Sequence, residues 1–382
     1  MTVSRTREIL LLLLVSCIVG LCYAIVWQAY LPAWRTLYAG HDAFIFLAPA
    51  LMLPAWLIVS CALRARRCRE TLLLPLVALL IGLGVMFLLR LAGGTYTYVD
   101  AEDGRRLFSL YQKQLISFGV GWAVLLSMIL FWRDYRVLTR YKYVVATTAV
   151  ALLLITTIFG HAVGGQTLTL NLRFFTFQPH DPVKLLLVIF MAAYLVEKQE
   201  LIAFAAGRHG WITRRDFQYM GPLLALWLLV MAIIFRHADL GAALLLFGAL
   251  LGMLYLGTAR KIYLAIGIGL FILGGFAAVS LSPRVQTRMA IWQNPWDSAT
   301  GKGYQICQSL MALGYGGTVG AGLAGGYPER IPAIHTDMIY AAIAEDFGLV
   351  GSVAILAVFL VLLWRIFAVS LQTEDRFGKL LA

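Results

Sequence analysis

Charge is what this sequence has least of. Only 13% of its 382 residues are Asp, Glu, Lys or Arg, against roughly 25% in a soluble domain. Apolar residues make up 61% and the mean hydropathy is +0.82. A single globular core could not bury that much apolar surface, so lipid must serve as part of the solvent. Cysteine is sparse too. The five cysteines show no paired spacing, which excludes a disulfide framework and a zinc-finger pattern. Cys17, Cys22 and Cys61 fall in apolar runs, Cys68 in a basic connection, and Cys307 stands alone in a later loop. The six histidines include no His-Glu-x-x-His, so metalloprotease chemistry has no support. No basic run interleaved with aromatics lies outside the apolar segments, and nucleic acid is not a partner suggested by the net charge of +12. A soluble domain, a low-complexity linker and an internal repeat are likewise missing.

What the chain does have is a succession of apolar runs. Runs of roughly 17–25 residues can span a bilayer. They fall near residues 9–27, 42–63, 71–91, 115–132, 144–160, 182–196, 221–235, 241–256, 262–281 and 349–369. This predicts an all-α, polytopic transmembrane helical bundle of about ten spans, with one long loop before the last span. Lys and Arg gather in alternate connections: Arg64, Arg66, Arg67 and Arg69; Arg133, Arg136, Arg140 and Lys142; Arg208, Arg214 and Arg215; Arg260 and Lys261. The positive-inside rule makes these connections cytoplasmic, which puts the N-terminus inside and the long loop outside. Arg5 and Arg7 precede the first run, but that run is long for a signal-peptide core and is expected to remain as a helix.

Three outward connections are substantial: 92–114, 161–181 and 282–348. The last carries Gly301, Gly303, Gly314, Gly316, Gly317, Gly320, Gly322, Gly325 and Gly326. Glycine allows tight turns and close helix contacts, or a backbone cradle for phosphate aided by Lys302 or Arg330. Residues 320–325 also fit Gly-x-Gly-x-x-Gly, although no strand or βαβ unit surrounds them. Ionisable groups beside spans are functional candidates. Gln178, Asp181 and Lys184 open the sixth span; Arg236, His237 and Asp239 lie between the seventh and eighth; His335, Thr336 and Asp337 are expected to open a helix that contains Glu345 and Asp346. Each could cap, snorkel or pair internally. Together, on one side, they suggest an outward polar cavity for an anionic ligand.

Asn294-Pro295-Trp296, followed by Gly301-x-Gly303-Tyr304-Gln305-Ile306-x-Gln308-Ser309-Leu310, resembles the FtsW/RodA/SpoVE (SEDS) family. So do Gly316-Gly317, Gly320-x-Gly322-Leu323, and His335-Thr336-Asp337-Met338-Ile339-Tyr340-Ala341 with Glu345-Asp346-Phe347-Gly348. Phe177-Gln178-Pro179 with Lys184, and Asp239-Leu240-Gly241, match earlier in the chain. The resemblance implies a glycosyltransferase that polymerises lipid II into peptidoglycan at the outer face of the cytoplasmic membrane. Its implied partner is a class B penicillin-binding protein. The implied catalytic residue is Asp297, a base for the acceptor hydroxyl. The implied substrate-binding residues are Gln178, Asp181, Lys184, Asp239, Lys302, Tyr304, Gln305, Gln308, Ser309, His335, Asp337 and Glu345. No cofactor is called for, though a divalent cation could assist a carboxylate, and no metal ligands are singled out.

Two departures qualify the match. The position of the family's catalytic Asp falls at Ser298 here, one place after Asp297, and the family's Gln-Pro-x-Glu glutamate is shortened to Asp181. The chain also stops at Ala382, where two further helices of the family are expected. The implied organisation is a two-helix N-terminal addition over 1–70 and a SEDS-like domain over 71–382. A lipid II flippase and a non-catalytic wall-synthesis scaffold remain alternatives to the polymerase.

Overall fold

The computed structural model describes residues 2–37, 43–66, 68, 70–132, 134–159, 161–163, 166–172, 175–205, 214–236 and 240–382. From the N-terminus come α1 (Thr2–Ala29), α2 (Leu31–Leu37), α3 (Ala43–Ala65), α4 (Leu73–Tyr98) and α5 (Ala101–Phe131). Next are α6 (Val137–Arg140), α7 (Lys142–Phe159), α8 (His180–Ala205), α9 (Arg214–Arg236), α10 (Leu240–Thr258) and α11 (Lys261–Leu281). The chain ends with α12 (Pro283–Gln293), α13 (Tyr304–Gly316), α14 (Ile339–Gln372) and α15 (Arg376–Leu381). Every expected span falls on one of these helices. α1, α3, α4, α5, α7, α10 and α14 hold stretches long and apolar enough to cross a bilayer, and α9 and α11 hold shorter apolar stretches. The fold is that of a multi-pass helical membrane protein.

Between α7 and α8 lie β1 (His161–Val163), β2 (Gln166–Leu172) and β3 (Phe175–Phe177), antiparallel in the order β1-β2-β3. His161 pairs with Thr169, and Leu172 with Phe175. The strict alternation of Gln166-Thr-Leu-Thr-Leu-Asn-Leu172 has the period of a strand.

The helices form two compact units, one of residues 1–133 with 283–367, the other of 134–282 with 368–382. In the first, α1 buries Leu12, Val15, Val19, Tyr23 and Val26, one stripe at helical spacing, in a core shared with Ala78, Val85, Met86 and Leu89 of α4. Its other faces expose Leu10, Leu13, Leu14 and Leu21, as a lipid-bathed helix should. Pro49 lies within α3 and leaves the carbonyl of Ile45 without a helical donor; Tyr111 Oη of α5 donates to that oxygen at 3.3 Å. At the start of α5, Asp100 caps the helix by accepting from the N–H groups of Glu102 and Asp103, each at 3.2 Å. Glu102 and Asp103 then favour the positive end of the helix.

The second unit packs α7, α8, α9 and α10 around two clusters, one containing Phe190, Tyr194 and Leu254, the other Ala149, Leu153, Leu187 and Leu246. α15 closes on it through Phe377, which is 2% exposed and stacks on Tyr135 with ring centroids 6.0 Å apart. Asp375 caps α15 by accepting from Gly378 N–H at 2.9 Å.

Candidate functional site

The long glycine-rich loop is more structured than its composition predicts. It contains α12, a 3-10 turn at Pro295–Ser298, α13 and a second 3-10 turn at Pro328–Arg330. Its segment 317–322 bonds to a break in α14. At Gly348 the backbone takes φ 67° and ψ −168°, a region essentially confined to glycine. A broken helix has orphaned backbone groups, and where they are buried the protein must supply their partners. Ala321 and Gly322 donate to the carbonyls of Glu345 and Asp346 at 2.9 and 3.0 Å, and the N–H groups of Leu349 and Val350 go to Gly317 and Thr318 carbonyls at 2.9 and 3.1 Å. Gly320, at φ 92°, lies so close to Gly348 that a Cβ on either would collide with the other's backbone surroundings. Of the loop glycines, Gly322 gives its N–H to the Asp346 carbonyl of α14, Gly320 to the Gly316 carbonyl, Gly325 to Gly322, and Gly301 and Gly303 to Ser298, so these N–H groups already have acceptors within the protein.

A buried ionic cluster fixes the rest of the loop. Arg90, fully buried in α4, donates through Nε to Asp346 Oδ2 at 2.8 Å and through Nη1 to Glu329 Oε2 at 2.7 Å. Its Nη2 reaches the Gly326 carbonyl at 2.8 Å and Asp346 Oδ1 at 3.2 Å. One planar fork thus holds a membrane helix, a loop turn and the broken helix together. Sequence reasoning flagged Asp346 but missed Arg90 and Glu329. A lone arginine inside the apolar run 71–91 is the signal that pointed to it.

Asp297 is exposed on the 3-10 turn that opens at Asn294. Asn294 Oδ1 accepts from the Trp296 N–H at 3.3 Å, and its amide nitrogen donates to Asp297 Oδ1 at 2.8 Å. The carboxylate is oriented by a neutral donor and remains open to solvent. Ser298, in the place of the family's acid, takes a structural part: its carbonyl accepts from Gly301 and Gly303 N–H at 2.9 and 3.1 Å. Lys302 and Tyr304 are exposed at the entrance of α13. Gln305 donates to the Pro332 carbonyl at 2.8 Å, tying α13 to the return segment, and Ser309 bonds back to the Gln305 carbonyl at 2.8 Å. Gln308 and Glu345 line one cavity of about 210 Å³.

His335, Thr336 and Asp337 do not open a helix as expected. They lie in turns, with the Asp337 N–H bonded to the Ala333 carbonyl at 3.1 Å, and α14 starts only at Ile339. His335 is half-buried, and that burial, with Arg106 nearby, holds its pKa below the usual histidine value; Asp337 pulls the other way. In the second unit Gln178 is exposed, and Asp181 pairs with Lys184 at 2.9 Å in the first turn of α8. Asp239 lies outside the described residues. Among the described residues, no three His, Cys, Asp or Glu side chains converge as a metal site would need.

Comparison with known proteins agrees with these features. The peptidoglycan glycosyltransferase RodA of Mycobacterium tuberculosis is 36% identical over 318 residues, which cover 82% of this chain and 66% of that protein. The chain thus spans slightly less than two thirds of that relative's length. Stage V sporulation protein E of Bacillus subtilis is 29% identical over 314 residues, covering 81% of both proteins. A chain of a solved peptidoglycan synthase complex superposes with a TM-score of 0.60 at 23% identity, covering 81% of this chain and 80% of that one, and so shares the fold. The cell cycle protein model FtsW/RodA/SpoVE matches residues 70–382, and the chain belongs to that family.

Proposed function

We propose that this protein is a peptidoglycan glycosyltransferase that polymerises lipid II at the outer face of the bacterial cytoplasmic membrane. The observation that carries this reading is the exposed carboxylate of Asp297, oriented by Asn294 at the head of α13, in a loop pinned to α4 by Arg90. Glycosyl transfer needs a base within hydrogen-bond reach of the acceptor hydroxyl, and a scaffold that holds it still. Lys302 beside this turn is the group we assign to the pyrophosphate, and Lys184 with Asp181 at the start of α8 is a separate head-group candidate in the second unit. Gln178, Asp239, Tyr304, Gln305, Gln308, Ser309, His335, Asp337 and Glu345 complete the proposed substrate-binding set. The lipid tail calls for an apolar, membrane-level surface, which a bundle of this kind offers. A class B penicillin-binding protein is the proposed partner, in keeping with the solved synthase complex that shares the fold. Residues 1–70 are read as an N-terminal addition to a family core over 71–382.

The test is polymerisation of labelled lipid II by the purified protein with its penicillin-binding partner. Glycan chains are expected from the native protein, and Asp297→Ala should reduce them at least a hundredfold, the scale of a lost general base, with unfolding temperature unchanged. Full activity in Asp297→Ala would remove Asp297 from the chemistry. Ser298, which lacks a carboxylate's basicity, favours a second reading as a non-catalytic scaffold. That reading predicts no polymer from the native protein and normal wall synthesis in cells whose only copy carries Asp297→Ala.

A further inference from the structure

In the first unit, α3 and α5 are tied together at two points. Tyr111 Oη donates to the Ile45 carbonyl at 3.3 Å, and Trp122 Nε1 to the Ala55 carbonyl at 2.9 Å. The two ties are ten residues apart along α3, a rise of about 15 Å. Between them lies most of a cavity of about 330 Å³, to which α1 and α4 contribute Tyr23, Gly82 and Val85. Leu47, Leu51, Pro54 and Ile58, on one face of α3, line it and are themselves exposed. So is Gly119 on α5, where a Cβ would meet nothing within 4 Å. The cavity therefore opens sideways between α3 and α5. All four lining helices hold stretches long and apolar enough to cross a bilayer, so the mouth faces hydrocarbon.

The lining selects a ligand class. Among its residues only Tyr23 and Trp122 carry a side-chain nitrogen or oxygen, and that of Trp122 is spent on Ala55. A sugar, a nucleotide or a peptide backbone would leave its polar groups unpaired there. A volume of about 330 Å³ over about 15 Å makes a channel about 5 Å across, half the ~10–12 Å width of a helix with its side chains. An unbranched hydrocarbon chain fits such a channel; an isoprenoid chain, with a methyl branch on every fourth carbon, is wider. Lys113 is exposed two residues before Leu115, at the end where the apolar run of α5 begins. At that level a lysine meets lipid phosphate. We propose that this cavity is a site for a bilayer phospholipid, with one acyl chain held between α3 and α5 and the phosphate at Lys113. None of the lining residues belongs to the proposed substrate set, so the site stands or falls independently of the lipid II reading.

The probe is phosphatidylglycerol with a diazirine midway along one acyl chain, mixed into phosphatidylethanolamine vesicles that hold the full chain. After irradiation, adducts are mapped by peptide mass spectrometry. Labelling of Met52, Leu115 and Phe118, all in the lining, is expected. Gly119→Trp plugs the mouth and should cut that labelling about tenfold, while adducts on the exposed Phe131 persist. Leu51→Trp plugs it from α3 and serves if Gly119→Trp fails to fold. Lys113→Ala should cut the labelling about threefold. Equal labelling of the native protein and a folded plugged variant, or adducts confined to exposed residues, would overturn the site. Full labelling in Lys113→Ala would remove the phosphate contact. Displacement of the probe by an equimolar polyprenyl phosphate would overturn the proposal in favour of an isoprenoid site.

Discussion

Arg90 bears a charge inside a membrane helix with 0% exposure, as do its partners' side chains. The guanidinium is held on every side by two carboxylates and one backbone carbonyl, although one buried oxygen of the cluster, Glu329 Oε1, has no hydrogen-bond partner among the described residues. Removing one partner strands the others in a medium that cannot solvate them. Arg90→Met is therefore expected to cost about 3–5 kcal/mol of stability, read by thermal unfolding in detergent. Replacing all three charged side chains with apolar ones of similar size should recover most of that loss. If Arg90→Met unfolds at the native temperature, the cluster is not what holds the loop. A lone arginine in an apolar run is visible in the sequence. Its partners, 239 and 256 positions away, are not, because no local pattern encodes a contact made by folding.

Among the elements, α14 is the one whose form depends most on its surroundings. Composition predicts an apolar helix, and the helix is there, but it is broken at Gly348 and repaired by the segment 317–322. Gly348→Ala is expected to cost about 1–3 kcal/mol from backbone conformation alone, with a further penalty from the collision with Gly320. Thermal unfolding of the variant measures it, and a native-like midpoint would mean the chain straightens the helix at no loss. The density of glycine in the loop was legible as a demand for unusual backbone or close packing. Which of the two it served was not, since both produce the same composition. The turn at Asn294–Ser298 is capped by Asn294 with Pro295 in its first position, residue types suited to those places.

At the scale of the whole molecule, the family match begins at residue 70, yet the first unit does not. α1 and α3 contribute Tyr23, Val26, Met52 and Trp56 to the core that also contains Phe87, Phe108 and Tyr111. Pro49 and Tyr111 show the same dependence at a single hydrogen bond. A chain beginning at residue 70 is expected to lose that packing and to accumulate in membranes at a small fraction of the full-length level, measured by quantitative blotting. Equal accumulation and equal unfolding temperature would show that the first helices are dispensable to the fold.

The helical class, the apolar segments and the family were all readable in the sequence. A bilayer sets a minimum run of apolar residues and forces the backbone to satisfy itself within each span, so length and composition carry the information. The family motifs lie close together along the chain and survive as short strings. The site itself is a matter of long-range geometry. Whether Asp297 faces solvent, whether the glycines bind an anion or mend a helix, and which carboxylates neutralise Arg90 depend on side chains from distant segments meeting at hydrogen-bond distance. Those meetings are set by packing, and packing is decided only once the helices have come together.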